Sequence, residues 1–227
     1  MSPVTDASVW EIHFEQFVQQ RVMATDPAHD LAHIRRVVAT ARTLAQAEGA
    51  DLAVVLPAAW LHDCVVIPKN SSQRARASQL AAQAATAFLR TIMYPATYLP
   101  AITHAIEAHS FSANIAPRTR EAQVVQDADR LDALGAIGVA RCLMLGGAMG
   151  QQLYDPTALF PHDRQLDDTR YVIDHFYQKL LRLAELMTTA AGRAEAQRRT
   201  TFMRHFLAQL DGEIQGGWMQ IPAPGRP

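Results

Sequence analysis

Apolar residues recur along this chain at the spacing of helices. Leu31, Ile34, Val37, Val38, Ala41, Leu44 and Ala45 fall on one face, in the three-to-four-residue repeat of an amphipathic helix. Asp26-Pro27 ahead of them predicts the start, with Asp as cap and Pro in the first turn, and Gly49 predicts the end. A second helix is predicted over residues 51–66, in which Pro57 either introduces a kink or marks the effective first turn. Residues 72–93 read as a third helix stopped by Tyr94-Pro95, and 100–109 as a fourth. After a loop at 114–119 comes a helix over 120–134, bent at Gly135 and Gly138 before 139–145 continues it. The stretch 146–161 reads as irregular, and helices over 168–187 and 194–213 complete the set.

Alternating β-branched strand patterns are nearly absent, so the predicted fold class is all-α. One helical domain is expected over residues 1–215, with its motifs within 26–135, followed by an extended or mobile tail at 216–227. The 227 residues suffice for a substantial core. A hydrophobic fraction of 49% and a formal net charge of −1 exclude a disordered chain and a broadly basic nucleic-acid-binding surface. Any polyanionic ligand must therefore be met by local charge. No apolar run reaches the roughly 18 residues of a membrane span, and the first residues lack the pattern of a signal peptide. A cytoplasmic location is expected. Cys64 and Cys142 form neither a CxxC pair nor a disulfide framework, and Cys64 reads as a small buried residue more than as a catalytic thiol.

The candidate chemistry is a dispersed set of imidazoles and carboxylates: His33, the adjacent His62 and Asp63, and the cluster Asp127, Asp129 and Asp132. Mixed nitrogen and oxygen donors suit a divalent transition metal better than thiolate zinc chemistry or an all-oxygen calcium site. His29 and His33, four apart, share a helix face but alone say little. His62 and Asp63 end an apolar run, AVVLPAAWL, which reads as polar groups delivered into the interior; a satisfied buried ion pair is the plainer reading. The apolar surroundings of the three aspartates fit poorly with a solvated acidic face. One of these carboxylates could complete a metal site while another orients a ligand histidine.

The strings HDLAHIRRVV, LHDCVVIPKN, HAIEAHSFSANIAP, QDADRLDALGAIGVAR and DHFYQKLLRL resemble the HD-domain superfamily of metal-dependent phosphohydrolases, in particular its bacterial YedJ-type branch. The likeness covers roughly residues 15 to 215. It implies a compact helical bundle of the HD type, with a divalent cation held by His33, His62, Asp63 and Asp129 and a second ion compatible with the site. His29, Asp30, Asp127 and Asp132 then take supporting roles, and His162-Asp163 is a chance repeat of the dipeptide. Mn, Co, Ni, Fe or Mg fits such donors, which leave coordination positions for water and a substrate oxygen. The implied substrate is a phosphorylated small molecule, a nucleotide above all. Lys69 and Arg74, just after the HD pair, are candidate phosphate contacts, and His109 is a candidate for substrate contact, proton transfer or further ligation. Two other readings stay open: a nucleotide-sensing module that keeps its metal without turnover, and a di-iron oxygenase that would recruit His104 and His109. The helical surfaces are compatible with a homodimer.

Overall fold

The computed structural model describes residues 7–21, 30–67, 71, 73–158 and 164–216, and it is helical as predicted. Among the described residues nine α-helices follow one another: α1 (Ala7–Gln19), α2 (Leu31–Glu48), α3 (Leu52–Leu61), α4 (Ala77–Thr91), α5 (Leu99–His109), α6 (Arg120–Leu131), α7 (Gly135–Ala148), α8 (Val172–Gln178) and α9 (Ala190–Ile214). Short 3-10 segments at Arg74–Arg76 and Ala96–Tyr98 lead into α4 and α5. Among the described residues the only β pairing is one isolated bridge between Gln152 and Tyr171. No single described helix is long and apolar enough to cross a membrane; α6 and α7 reach that hydropathy only together, across a 59° bend.

α3 is the axis of the bundle. Residues 53–61 are all buried, as expected of a helix apolar on every side, and α1, α2, α5 and α6 pack around it. Pro57 lies inside α3, so the Ala53 carbonyl four residues earlier loses its usual amide donor. The buried Tyr94 hydroxyl replaces it, donating to Ala53 O at 2.7 Å. That bond fastens the segment after α4 to the first turn of α3, and Trp60 Nε1 donating to Glu11 at 3.0 Å fastens α1.

Several boundaries differ from the sequence expectation. Asp26-Pro27 lies outside the described residues; α2 starts at Leu31, and Asp30 provides the cap by accepting from His33 N at 2.7 Å. Gly49 ends α2 in the left-handed conformation, as predicted. α3 stops at Leu61 instead of running to 66, ahead of a β-branched run and the residue preceding Pro68, where helix is disfavoured. α4 begins at Ala77, not 72. The predicted bend at Gly135 is a full break: α6 ends at Leu131, and α7 starts at Gly135 with φ of +70°. α7 continues to Ala148, into the stretch expected to be irregular.

The helix expected over 168–187 is split. α8 ends at Gln178, Lys179 departs from helical geometry, and Leu180–Leu186 winds as a 3-10 segment. The tighter winding stacks residues three apart, which turns Leu180 and Leu183 together into the core against α8 and α9. α9 then starts at Ala190, four residues before the expected 194.

The start of α9 is held by a buried aspartate. Asp127, fully buried on α6, accepts from Thr188 N and Oγ1 and from Thr189 N (2.8 Å) and Oγ1 (2.7 Å). A carboxylate at a helix N-terminus is also favoured by the helix dipole. Gly192 makes this approach feasible, because a side chain there would overlap the Asp127 carboxylate and stand 2.6 Å from Thr189 Oγ1. Gly192→Ala would add up to about 1 kcal/mol in an open helix. Here overpacking is expected to dominate, lowering stability by about 1–3 kcal/mol, read as a lower urea midpoint.

Cys64 is buried, with its thiol 3.5 Å from the Ala81 carbonyl, and burial pushes it up to about 12. It is therefore a neutral core thiol at physiological pH. Mass spectrometry after iodoacetamide treatment should find Cys64 unmodified in the native protein and alkylated once urea is added.

Candidate metal centre

Four elements deliver the site. His33 stands in the first turn of α2, His62 caps the C-terminus of α3 with Asp63 in the following turn, His109 ends α5, and Asp129 lies near the end of α6. Because α3 ends at Leu61, His62 and Asp63 occupy a tight turn instead of successive positions along a helix. Gln126 Nε2 donates to the Ala108 carbonyl at 2.7 Å, joining the end of α5 to α6 beside His109 and Asp129.

The rings are oriented from behind. His62 Nδ1 is 2.8 Å from the Ala59 carbonyl and His109 Nδ1 is 2.6 Å from the Ile106 carbonyl. His33 Nδ1 is 2.7 Å from Asp132 Oδ2. Carbonyls and carboxylates only accept, so each Nδ1 carries the proton, and in a neutral ring the lone pair falls on Nε2. Asp132 is itself gripped by Arg36, at 2.7 and 3.0 Å, and by Arg141. Burial opposes its charge, yet His33 and the two guanidiniums outweigh that and hold its carboxyl well below the usual range.

The Nε2 atoms converge on two carboxylates. His33 Nε2 is 3.5 Å from Asp129 Oδ1 and 3.9 Å from Asp63 Oδ2; for His62 Nε2 the distances are 3.8 and 3.6 Å. His109 Nε2 is 3.5 Å from Asp63 Oδ1. Donors sharing one cation at about 2.1 Å stand about 3 to 4 Å apart, so the spacing fits an ion. The buried His62 Nε2 has no hydrogen-bond partner in the protein, a costly arrangement that a metal would relieve. Two donor groupings could each hold an ion, His33, His62 and Asp129 in one and His62, Asp63 and His109 in the other.

His62 and His109 are tuned in opposite directions. Burial holds His62 below the ordinary imidazole value despite Asp63 nearby. For His109, burial also disfavours charge, but the hydrogen bond and charge of Asp63 prevail and raise it.

Asp63 and Asp129 are about a quarter exposed; both open onto a cavity of 320 Å³, and Asp129 also lines one of 750 Å³. His109, Phe111, Asp129 and Lys179 line both. Arg130, Arg141 and Arg182 also line the larger one. Sequence reading missed Lys179, Arg182 and Phe111: a lone cation or aromatic carries no motif, and the helix break at Lys179 has no local signal. Lys69, His29 and His162-Asp163 lie outside the described residues, as do residues 217–227 of the expected tail, and the Arg74 side chain is likewise not described. His104 does not join the cluster; its Nε2 accepts from Arg118 N at 3.0 Å. Asp127 faces α9, away from the site.

The chain as a whole is similar to known proteins. The HD domain family model matches residues 30–134. The uncharacterized protein YpgQ of Bacillus subtilis is 33% identical over 204 residues, covering 88% of this chain and 91% of YpgQ. A crystal structure of YpgQ in complex with ADP aligns with a TM-score of 0.70 at 32% identity, over 90% of this chain and 95% of the other. An HD-superfamily hydrolase from Bacillus thuringiensis aligns with a TM-score of 0.71 at 35% identity, over 92% and 98%. With the family's dispersed histidines and aspartates brought together on one side of a helical bundle, the chain belongs to the HD-domain family.

Proposed function

We propose that the protein is a divalent-metal-dependent phosphohydrolase acting on a nucleotide or a related phosphorylated metabolite. The observation that carries this is the convergence of His33 and His62 Nε2 on Asp63 and Asp129, with Nδ1 of both rings committed elsewhere. In this reading His33, His62, Asp63 and Asp129 hold a cation, of the Mn, Co, Ni, Fe or Mg type. When bound, it polarises a phosphoryl oxygen and lowers the pKa of water.

The chain's other groups complete the chemistry. Lys179 and Arg182 at the cavity wall meet the phosphates, supplying the local positive charge that a chain of net charge −1 requires. Lys69 and Arg74 remain candidates for the same task from the segment after the HD pair. His109, raised by Asp63, is suited to keep a proton and donate it to the leaving oxygen. The ADP bound to YpgQ supports a nucleotide as the substrate class.

Purified protein loaded with Mn, Co, Ni or Mg is expected to release orthophosphate, pyrophosphate or a linear monophosphate from members of a nucleotide panel. A chelator and Asp63→Asn should each reduce release to background. A folded, metal-loaded protein that turns over no phosphoester or phosphoanhydride would overturn the proposal.

Asp132 positions His33 in this scheme. Asp132→Ala should weaken metal binding about 10–100-fold, measured by titration calorimetry, with Asp132→Asn intermediate because it retains an acceptor. Metal affinity unchanged in Asp132→Ala would show that His33 needs no support from behind.

A further inference from the structure

Phe111 is 70% exposed, two residues after the buried His109. Single exposed apolar side chains are ordinary, so exposure alone means nothing; position does. Phe111 lines both cavities together with His109, Asp129 and Lys179. Among the described lining residues of these cavities it is the one phenylalanine, tyrosine or tryptophan. The segment carrying it is braced: Ser110 and Ser112 hydroxyls are 3.0 Å apart, and Asn114 N, at the left-handed φ of +51°, donates to the Phe111 carbonyl at 3.3 Å.

We infer that Phe111 is a nucleobase platform: a base stacks on its ring while the phosphates extend past Lys179 to the carboxylates Asp63 and Asp129. This rests on the nucleotide reading above and deepens it. An aromatic face accepts any base and favours those with the larger π-surface, so the subsite predicts a preference for purines without strict base selectivity. The hydroxyls of Ser110 and Ser112 flank the ring in sequence and line the smaller cavity, offering hydrogen bonds to a base edge.

The test compares two non-hydrolysable probes that differ only by adenosine: α,β-methylene-ADP and methylenediphosphonate, titrated calorimetrically into the Mn-loaded full chain. Wild-type protein should bind the nucleotide analogue the more tightly. Phe111→Ala should weaken that analogue about 10-fold and leave methylenediphosphonate unchanged, with Phe111→Trp restoring affinity and all variants melting alike. The inference is overturned if the wild type binds both probes equally or neither, or if Phe111→Ala weakens both alike or neither. Failure of the functional reading looks different: normal discrimination between the probes with no turnover of any nucleotide.

Discussion

Three imidazole rings are locked by their Nδ1 atoms, and everything reactive in the molecule depends on that. The acceptors are the Ala59 and Ile106 carbonyls, each three residues back along the ring's own helix, and Asp132 at the C-terminus of α6. A carbonyl three residues before a helix end lacks its own intrahelical donor, so the ends of α3 and α5 satisfy a backbone group and orient a ring with the same bond. His33 stands at a helix start, where no such carbonyl exists, and must obtain its acceptor from another element. This is why one of the three rings depends on a buried, arginine-clamped carboxylate while the other two need none.

The bundle keeps those helix ends together. α3 carries no charged side chain between Leu52 and Leu61, its one side-chain hydrogen-bonding group, Trp60 Nε1, being taken up by Glu11, and it is central because it is apolar on every side. Its one internal defect, Pro57, becomes an attachment point for Tyr94. The buried Asp127 performs the corresponding task in the C-terminal half of α6, tying it to α9 two residues before Asp129 supplies a carboxylate to the cluster. The two aspartates sit on one helix with opposite fates, one saturated by Thr188 and Thr189 and the other open to the cavities.

Much of this was legible in the sequence. Helical periodicity located most elements, Gly49 and Gly135 marked true breaks, and the resemblance of the motif strings brought His33, His62, Asp63 and Asp129 forward, four residues that the structure places together. Asp132 was assigned only a supporting part, and its partner proved to be His33. What stayed hidden is tertiary. The sequence LLRLAEL has good helix formers throughout, and only packing against α8 and α9 turns it into a 3-10 segment. Asp30 and Asp26 are equivalent as caps on composition, and the backbone geometry at Asp30 is what distinguishes the cap.

That hidden break has a chemical consequence. In a continuous α-helix leucines 180 and 183 would share a face with an offset of about 60°, whereas the 3-10 winding aligns them directly. The 3-10 winding buries Leu180 and Leu183 and leaves Lys179 and Arg182, each immediately before one of them, exposed on the cavity wall. Two cations are thereby presented toward Asp63, Asp129 and His109 without being drawn into the core. Burial of Leu180, Leu181 and Leu183 thus anchors the segment, while the neighbouring Lys179 and Arg182 carry positive charge to the site.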